Sequence, residues 1–237
     1  MKQDVSQRLE LLISAAHPCN YLPDRMARSV FINPEAPMDG RLYGLLAARG
    51  FRRSGPHIYR PHCEACRACV PLRVPVRDFR PDKTQKRVLR RNRDLSLSVV
   101  PAAFHPEHFR LYTRYLAARH PGGGMDSYGE EEYRQFVTSP WSGTSMLEFR
   151  LGGVLAAVAV TDEMPDALSA VYTFYDPDMP ARSLGSHAIL SQIGEARRRG
   201  LTWVYLGYWI AESRKMSYKE RYHPHEVLTE KGWEPAV

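Results

Sequence analysis

The chain has 237 residues, of which 43% are hydrophobic and 25% charged, a composition that predicts a folded protein of one or two domains and excludes a disordered chain. It contains no apolar stretch as long as a membrane-spanning helix, and Asp4 and Glu10 exclude a signal peptide over the first residues. We therefore expect a cytoplasmic protein, and the formal net charge of +7 favours an anionic partner.

The N-terminal region predicts short elements. Residues 1–19 predict an amphipathic helix, and residues 41–50, RLYGLLAARG, predict a helix that ends at Gly50. The segments FRRSG, HIYRP and VPLRVPV follow as short strands or turns, because their prolines disfavour long regular elements.

Three of the four cysteines lie in RPHCEACRACVP with the spacing CxxCxxC. Three thiolates at this spacing can bind one face of a metal, and a distant cysteine can complete the ligand set. Cys19 is the remaining cysteine, so the predicted ligands are Cys19, Cys63, Cys66 and Cys69. The pattern suits an iron–sulfur cluster at least as well as zinc, and it also allows four reduced thiols without a metal.

A basic segment follows the cysteines. Residues 83–93, KTQKRVLRRNR, contain no acidic side chain, and a spacing of three and four places several cations on one face of a helix. Such a stripe favours a phosphate backbone as its partner, although a solvated basic helix is the simpler alternative. The predicted nucleic-acid contacts are Lys86, Arg87, Arg90 and Arg91.

The C-terminal half predicts a mixed α/β domain. PEHFRLYTRYLAARH predicts a helix, and PGGGMDSYGEEEYRQFV predicts a loop that continues into another helix. Three antiparallel strands, MLEFRLGG, VLAAVAVTDEMPD and ALSAVYTFYDP, are separated by turn residues. A helix from Ser183 to Gly200 and the buried strand TWVYLGYWI complete the pattern. We expect two regions, 1–100 and 101–237.

Three parts of the sequence together resemble the arginyl/leucyl-tRNA–protein transferase family. They are HPCNYLPDRMARSVF, the region from GFRRSG through YRPHCEACRAC to KTQKRVLRRN, and the strings VYTFYDPD, SLGSHAIL and YLGYWIAESRKMSYKERYHP. The resemblance covers most of the chain in order. Eukaryotic members carry a CxxC near the N-terminus, whereas here Leu22 stands at its second position. This difference is typical of a bacterial subgroup that transfers leucine from Leu-tRNA to proteins beginning with Asp or Glu, which marks them for degradation in the N-degron pathway.

The resemblance implies an N-acetyltransferase-like (GNAT) mixed α/β fold with an N-terminal cysteine-containing α/β region. In that fold a strand–helix–strand core splays two parallel strands and opens a slot for the acyl donor. It implies Leu-tRNA and proteins with N-terminal Asp or Glu as partners, and the chain offers no obvious dimer face, so we expect a monomer. The cysteines would then organise the fold or sense redox state, because aminoacyl transfer requires no metal.

Several side chains are candidates for this chemistry. Asp176, at the end of the YTFYDP strand, is the predicted general base with Tyr172 beside it, although an Asp-Pro turn would also explain Asp176. The candidates for binding the acidic acceptor side chain are Arg52, Arg53, Lys215, Lys219 and Arg221. The candidates for a leucyl pocket are Tyr205, Tyr208 and Trp209, which plain core packing would equally explain.

Two other functions stay open at this stage. The cysteines and the basic helix alone are compatible with a zinc-stabilised RNA-binding module without catalysis. An N-acetyltransferase that uses acetyl-CoA is disfavoured, because RSLGSHA is only a loose relative of the QxxGxG/A pyrophosphate loop of those enzymes.

Overall fold

The computed structural model describes residues 9–122 and 128–236, which form one large sheet, two small sheets and five helices. The helices are α1 (Gly40–Ala47), α2 (Lys83–Arg91), α3 (Pro106–Arg119), α4 (Glu130–Val137) and α5 (Leu184–Arg198). The strands are β1 (Leu11–Ile13), β2 (His17–Pro18), β3 (Met26–Ala27), β4 (Ser29–Ile32), β5 (Arg52–Ser54), β6 (His57–Pro61), β7 (Val70–Pro75), β8 (Leu95–Pro101), β9 (Gly143–Leu151), β10 (Val154–Met164), β11 (Ala167–Tyr175), β12 (Trp203–Trp209), β13 (Glu226–Thr229) and β14 (Gly232–Pro235).

The large sheet has the strand order β14-β13-β7-β12-β11-β10-β9-β8. Its centre is the predicted antiparallel meander β9–β10–β11, with turns at Gly152-Gly153 and Pro165-Asp166. Both glycines have positive φ values of 55° and 88°, which residues with a Cβ adopt only under strain. Strand β10 is buried along almost its whole length, because α5 covers one face of the sheet while α3 and α4 pack on the other.

Strands β11 and β12 are parallel but pair over only three residues, Ala167–Ser169 with Trp203–Tyr205. Beyond this register, no further pair joins the described residues of the two strands, so they diverge toward their carboxyl ends. Helix α5 connects them and packs against both. This strand–helix–strand arrangement is the splayed core that the family resemblance implied.

The N-terminal region is joined to this sheet and does not stand apart from it. A four-stranded sheet of order β1-β4-β6-β5 packs with α1 around Tyr43, Phe51 and Ile58. The next strand, β7, then enters the large sheet between β12 and β13. A boundary at residue 100 would therefore cut through the large sheet, since β7 and most of β8 precede it.

Most of the predicted elements are confirmed. The helix at residues 41–50 is α1, and Gly50 has a positive φ of 83° three residues after its end. Helix α2 begins after Asp82, whose side chain accepts from the Gln85 amide while the Gln85 side chain accepts from the Asp82 amide. These reciprocal bonds form a capping box.

The N-terminal helix is a wrong prediction for the residues that the structure describes. Leu11–Ile13 form β1, which pairs antiparallel with β4, and His17–Pro18 form β2. Tertiary pairing with β4 overrides the local helical pattern here. Residues 1–8 of that predicted helix, and residues 123–127 of the loop before α4, lie outside the described residues.

The hairpin β13–β14 was not predicted, and one cation attaches it to the sheet. The Arg73 guanidinium lies between two indole rings, 3.6 Å from the Trp203 centroid and 4.2 Å from the Trp233 centroid. It also pairs with Glu226 at 2.7 Å. These stacking and ionic contacts fix the hairpin beside β7.

Arg53, predicted to bind an acceptor carboxylate, lies in the interior of the protein, where its contacts favour a structural role. Its guanidinium forms a bidentate ion pair with Asp162 of β10, at 2.7 and 2.9 Å, and both side chains are fully buried. Its remaining nitrogen donates to the carbonyl groups of Gly55, Phe136 and Thr138. All three guanidinium nitrogens of Arg53 donate to acceptors inside the protein, and Arg53 thereby joins the small sheet to the large one.

Of the described helices, the longest has 15 residues, and none has both the length and the apolarity needed to cross a membrane.

We expect Asp162→Asn to lower the free energy of unfolding by about 3–5 kcal/mol, because it leaves the Arg53 charge buried without a partner. Urea denaturation measures the effect. The control is Glu131→Gln, which removes an exposed pair with Arg134 and should cost no more than about 1 kcal/mol. Equal losses for the two variants would contradict the role assigned to the buried pair.

Candidate functional site

Arg52 enters the gap between the two splayed strands. It lies on β5 next to Arg53, and its guanidinium donates to the carbonyl oxygen of Ala170 at 2.8 Å, one residue beyond the last paired residue of β11. On the other side of the gap, a Cβ at Gly207 of β12 would lie 1.3 Å from the Arg52 Nη1. The guanidinium therefore occupies space that only glycine leaves open.

Gly207 also has a φ of +78° and lies at a register shift between β12 and β7. The positive φ and the approach of Arg52 each require glycine at this position. Sequence analysis overlooked Gly207, although an isolated glycine inside the strand pattern YLGYW is the usual sign of a bulge or of a close approach.

Lys219 is the second cation of the slot. It lies in the 3₁₀ turn Ser217–Arg221, is 6% exposed, and its ammonium donates to the Tyr208 carbonyl oxygen at 2.6 Å. The pKa of Lys219 is lowered to about 7, mainly by burial and also by the nearby positive charge of Arg52, while Cys69 acts in the opposite direction.

No Asp or Glu side chain among residues 9–122 and 128–236 forms an ion pair with Arg52 or Lys219. Two basic side chains, one of them buried, thus lie near enough to influence each other electrostatically and have no carboxylate partner among the described residues. An unpaired buried charge is costly, and proteins normally pair it or hold it for a ligand. The described part of the slot therefore offers two basic side chains and no carboxylate to pair with them.

Aromatic side chains surround this cation pair. Tyr208 donates from its hydroxyl to the Gly50 carbonyl oxygen at 2.8 Å, and its ring lies 6.1 Å from that of Tyr59. Burial raises the pKa of both phenols, and the charge of Arg52 acts on each of them in the opposite direction. They stay neutral hydrogen-bonding groups, and sequence analysis did not identify Tyr59.

The four cysteines lie close together beside the slot. The pKa of Cys69 is raised to about 12, mainly by burial and also by the neighbouring thiols of Cys19, Cys63 and Cys66, while Lys219 acts in the opposite direction. Two bonds to backbone groups fix the loop, from the Cys19 amide to the Arg25 carbonyl oxygen at 2.8 Å and from the Cys63 thiol to the Arg28 carbonyl oxygen at 3.7 Å.

The thiols do not form an assembled metal site. Within the part of the chain that the structure describes, no three His, Cys, Asp or Glu side chains converge as metal ligands do. The four cysteines supply the donor set expected for zinc or an iron–sulfur cluster, but the described geometry does not fit one. The metal stays a prediction of the sequence.

The basic helix α2 is exposed on the side away from Gln85. Lys86, Arg87, Arg90 and Arg91 are all exposed, as the sequence predicted for phosphate contacts, and an open depression of about 560 Å³ lies against Lys83, Lys86, Leu89 and Arg90. The buried Gln85 side chain donates to the Arg221 carbonyl oxygen at 2.9 Å, in the same 3₁₀ turn as Lys219. Helix α2 is thus attached directly to the wall of the slot.

Asp176, the predicted base, is occupied by other contacts. One carboxylate oxygen accepts from the Arg114 guanidinium at 3.0 Å and from the Asp178 amide at 3.0 Å. Both bonds hold the Asp176 side chain in a turn, and neither Arg52 nor Lys219 forms a hydrogen bond to it. Tyr172 packs against Phe136 of α4, 5.2 Å between ring centroids, in the aromatic core. These contacts favour structural roles, and the catalytic roles of Asp176 and Tyr172 stay predictions.

The three residues predicted to form a leucyl pocket do not share one face of β12. Tyr205 packs edge-on against Trp233 and accepts from Arg73, on the side of the small sheet, whereas Trp209 packs in the core under α5. Tyr208 points toward Gly50 and Tyr59. The cavity beside Tyr205 and Gly207 measures about 10 Å³, too small for a leucyl side chain.

The other two acceptor candidates are on the surface. Lys215 and Arg221 are exposed, and neither makes an ion pair with a described residue. Of the five residues predicted to bind the acceptor, the slot brings together Arg52 and Lys219.

Two solved structures share this architecture. FemX superimposes with a TM-score of 0.53 over 92% of this chain and 86% of its own, at 8% identity. The C-terminal domain of an Agrobacterium fabrum protein assigned as a lysylphosphatidylglycerol synthetase gives 0.52, at 17% identity, over 82% of this chain and 62% of its own. Likeness at this identity concerns the fold alone. The likeness of the two folds and the splayed strands β11 and β12 together confirm the predicted N-acetyltransferase-like fold.

Sequence relatives are much closer. A Nitrosococcus oceani protein named aspartate/glutamate leucyltransferase is 50% identical over 225 residues, 94% of each chain. A Pseudomonas fluorescens protein of the same name is 49% identical, over 95% of this chain and 96% of its own.

The family models match both halves of the chain. Residues 17–87 match the N terminus of the arginine-tRNA-protein transferase family, and residues 107–229 match its C terminus. The first match includes the cysteines, Arg52 and most of α2, and the second includes the splayed strands and Lys219. The chain therefore belongs to the arginine-tRNA-protein transferase family, as its motifs predicted.

Proposed function

We propose that this protein transfers leucine from Leu-tRNA to the N-terminal Asp or Glu of acceptor proteins. The observation that carries the proposal is the cation pair Arg52 and Lys219, which lies in the slot of an acyltransferase-like fold without a carboxylate partner. The names of the relatives support leucine as the donated residue, although the family is described by its arginine-transferring members. We also propose that the protein is a monomer and acts in the cytoplasm.

The acceptor side chain would supply the carboxylate that Arg52 and Lys219 lack. Its carboxylate accepts hydrogen bonds from the Arg52 guanidinium and the Lys219 ammonium, which are otherwise committed to backbone carbonyl groups. Gln or Asn at the acceptor N-terminus would leave the two charges unneutralised. Discrimination of this kind is strong, because the wrong acceptor leaves buried polar groups unpaired.

The same cations assist the chemistry. The α-amine of the acceptor must lose a proton before it attacks the aminoacyl ester, and its ordinary pKa is about 8. Positive charge nearby favours the neutral amine and lowers that pKa. The amine then forms the new amide bond, the ester bond to the tRNA ribose breaks, and the ribose hydroxyl leaves with a proton. Direct transfer of this kind needs neither a covalent intermediate nor a metal.

Helix α2 supports the nucleic-acid part of the proposal. Its exposed cations would bind phosphates of the tRNA acceptor stem, Arg in bidentate fashion and Lys as a point charge. Near its C-terminal end, Arg91 donates to the Ala181 carbonyl oxygen and Asn92 donates to the Arg182 carbonyl oxygen, just before α5. A duplex bound along α2 would therefore end near the slot.

The alternatives account for less of the structure. An RNA-binding module without catalysis gives no reason for a buried cation pair between splayed strands. An acetyl-CoA enzyme would carry the QxxGxG/A pyrophosphate loop, of which RSLGSHA at the start of α5 is only a loose relative.

The direct test supplies labelled leucine or arginine on charged tRNA to peptides that begin with Asp, Glu, Gln or Ala. We expect leucine to be transferred to the Asp and Glu peptides alone. Transfer of arginine instead would overturn the donor assignment. Transfer of leucine to all four peptides would overturn the role of the cation pair.

Lys219→Met should raise the KM for an Asp-initiated peptide by about a hundredfold, because it removes one partner of a desolvated charge pair. The melting temperature of the protein without substrate should not fall, since the substitution also removes an unpaired buried charge. Steady-state kinetics and thermal unfolding measure the two effects. The control is Lys231→Met in the exposed β13–β14 turn, which should change neither.

Affinity for acidic acceptors should fall as the pH rises through about 7. Below this value Lys219 is protonated and can bind a carboxylate, and above it the side chain becomes neutral. Binding then weakens by up to about tenfold per pH unit between the pKa of Lys219 in the free protein and its higher pKa in the complex. The KM of the Asp peptide between pH 6 and 9 shows the effect, and Lys219→Met should abolish it. A wild-type KM that does not change with pH would contradict the assignment.

A further inference from the structure

A partly exposed aromatic surface lies at the mouth of the slot. The Tyr218 side chain is 38% exposed, although it directly precedes the buried Lys219, and the Lys219 ammonium lies 5.9 Å from the centroid of its ring. Tyr218 is also within electrostatic range of Tyr115 and Tyr175. An exposed ring beside a buried cation marks the boundary between the slot and the solvent.

Tyr175, the last residue of β11, continues this surface. Its ring packs edge-on against Tyr115, with 4.8 Å between centroids, and its Cε1 lies 3.3 Å from the position of a Cβ at Gly185. Gly185 is the second residue of α5. The Tyr175 ring therefore lies across the N-terminus of α5, next to the gap between the splayed strands.

Two exposed cations accompany these tyrosines. Arg119 donates to the Tyr175 hydroxyl at 3.2 Å, and its guanidinium lies 6.0 Å from the centroid of the ring. Burial lowers the pKa of His120, and the positive charges of Lys215 and Arg119 lower it further, which places both cations close to this imidazole. Neither cation forms an ion pair with Asp or Glu in residues 9–122 or 128–236.

Aromatic rings interleaved with unpaired cations are the usual surface for single-stranded nucleic acid. Bases stack on the rings, and the phosphates between them bind the cations. A peptide acceptor needs the carboxylate-binding pair deeper in the slot and offers no π face to these tyrosines. The chemistry of the surface therefore favours nucleotides.

The position of the surface supports the same ligand. Helix α2 is joined to the 3₁₀ turn of Tyr218 through the bond from Gln85 to the Arg221 carbonyl oxygen, and to the entry of α5 through Arg91. The surface thus lies between α2 and the slot along the chain segments that α2 contacts, on a route open to a strand that leaves a duplex on α2.

We propose that Tyr175 and Tyr218, with Arg119 and Lys215, form a stacking platform for the unpaired 3′ nucleotides of the donor tRNA. The inference rests on the proposed function and assigns to it a second nucleic-acid site, distinct from the duplex contacts on α2.

The test compares binding of an intact tRNA with binding of the same tRNA lacking its unpaired 3′ nucleotides, by fluorescence anisotropy. Tyr218→Ala should weaken binding of the intact tRNA by about tenfold and leave the truncated tRNA unaffected, because only the intact one reaches the platform. Tyr218→Phe keeps the ring and should restore affinity. Lys215→Gln should reduce the salt dependence for the intact tRNA by about 0.7 in the log–log slope.

Two controls separate the sites. Arg87→Gln on α2 should weaken binding of both tRNAs alike, and Lys231→Gln should weaken neither. Equal effects of Tyr218→Ala on both tRNAs, or a raised acceptor KM with unchanged tRNA affinity, would overturn the platform while leaving leucine transfer intact. A wild-type protein that binds neither tRNA would overturn the platform and the proposed function together.

Discussion

The bidentate pair between Arg53 and Asp162 is the constraint on which the slot depends. The pair is buried and joins β5 of the small sheet to β10 of the large one. The remaining guanidinium nitrogen of Arg53 donates to three backbone carbonyl oxygens. Successive side chains of a strand point to opposite faces, so fixing Arg53 in one direction sends Arg52 in the other. Arg53 thereby directs Arg52 into the gap between β11 and β12.

The slot illustrates a conflict between stability and function. Arg52 and Lys219 lie together without a carboxylate, at a cost that a hydrophobic substitution would remove. Such an arrangement persists where the missing charge arrives with the substrate, and the acceptor of the proposed reaction brings one. Without acceptor, the protein is therefore less stable than a variant with an apolar side chain in place of one cation would be. In the proposed reaction, the acceptor carboxylate relieves the repulsion between Arg52 and Lys219.

Much of this could be predicted from the sequence, because strong local patterns determined it. Helices α1, α2 and α3, the meander and the strand–helix–strand core follow from periodicity and turn residues, and Arg52 and Lys219 were named through family motifs. Contacts between residues far apart in the sequence could not be predicted from such local patterns. Arg52 and Arg53 are adjacent in FRRSG, and only the position of Asp162, 109 residues away, separates their roles. Leu11–Ile13 become a strand because β4 is available for pairing, which no local pattern reveals.

The strand order of the large sheet has a consequence for how the protein forms during synthesis. Strand β7 pairs with β12 and β13, which leave the ribosome more than a hundred residues later. Closing such a long loop is entropically costly and must precede any gain from the contacts, so pairings of this kind form slowly. Until β12 and β13 are made, β7 has no described strand beside it, and Arg52 has no gap to occupy. The N-terminal region therefore waits for the C-terminal strands, and the slot is among the last features of the molecule to assemble.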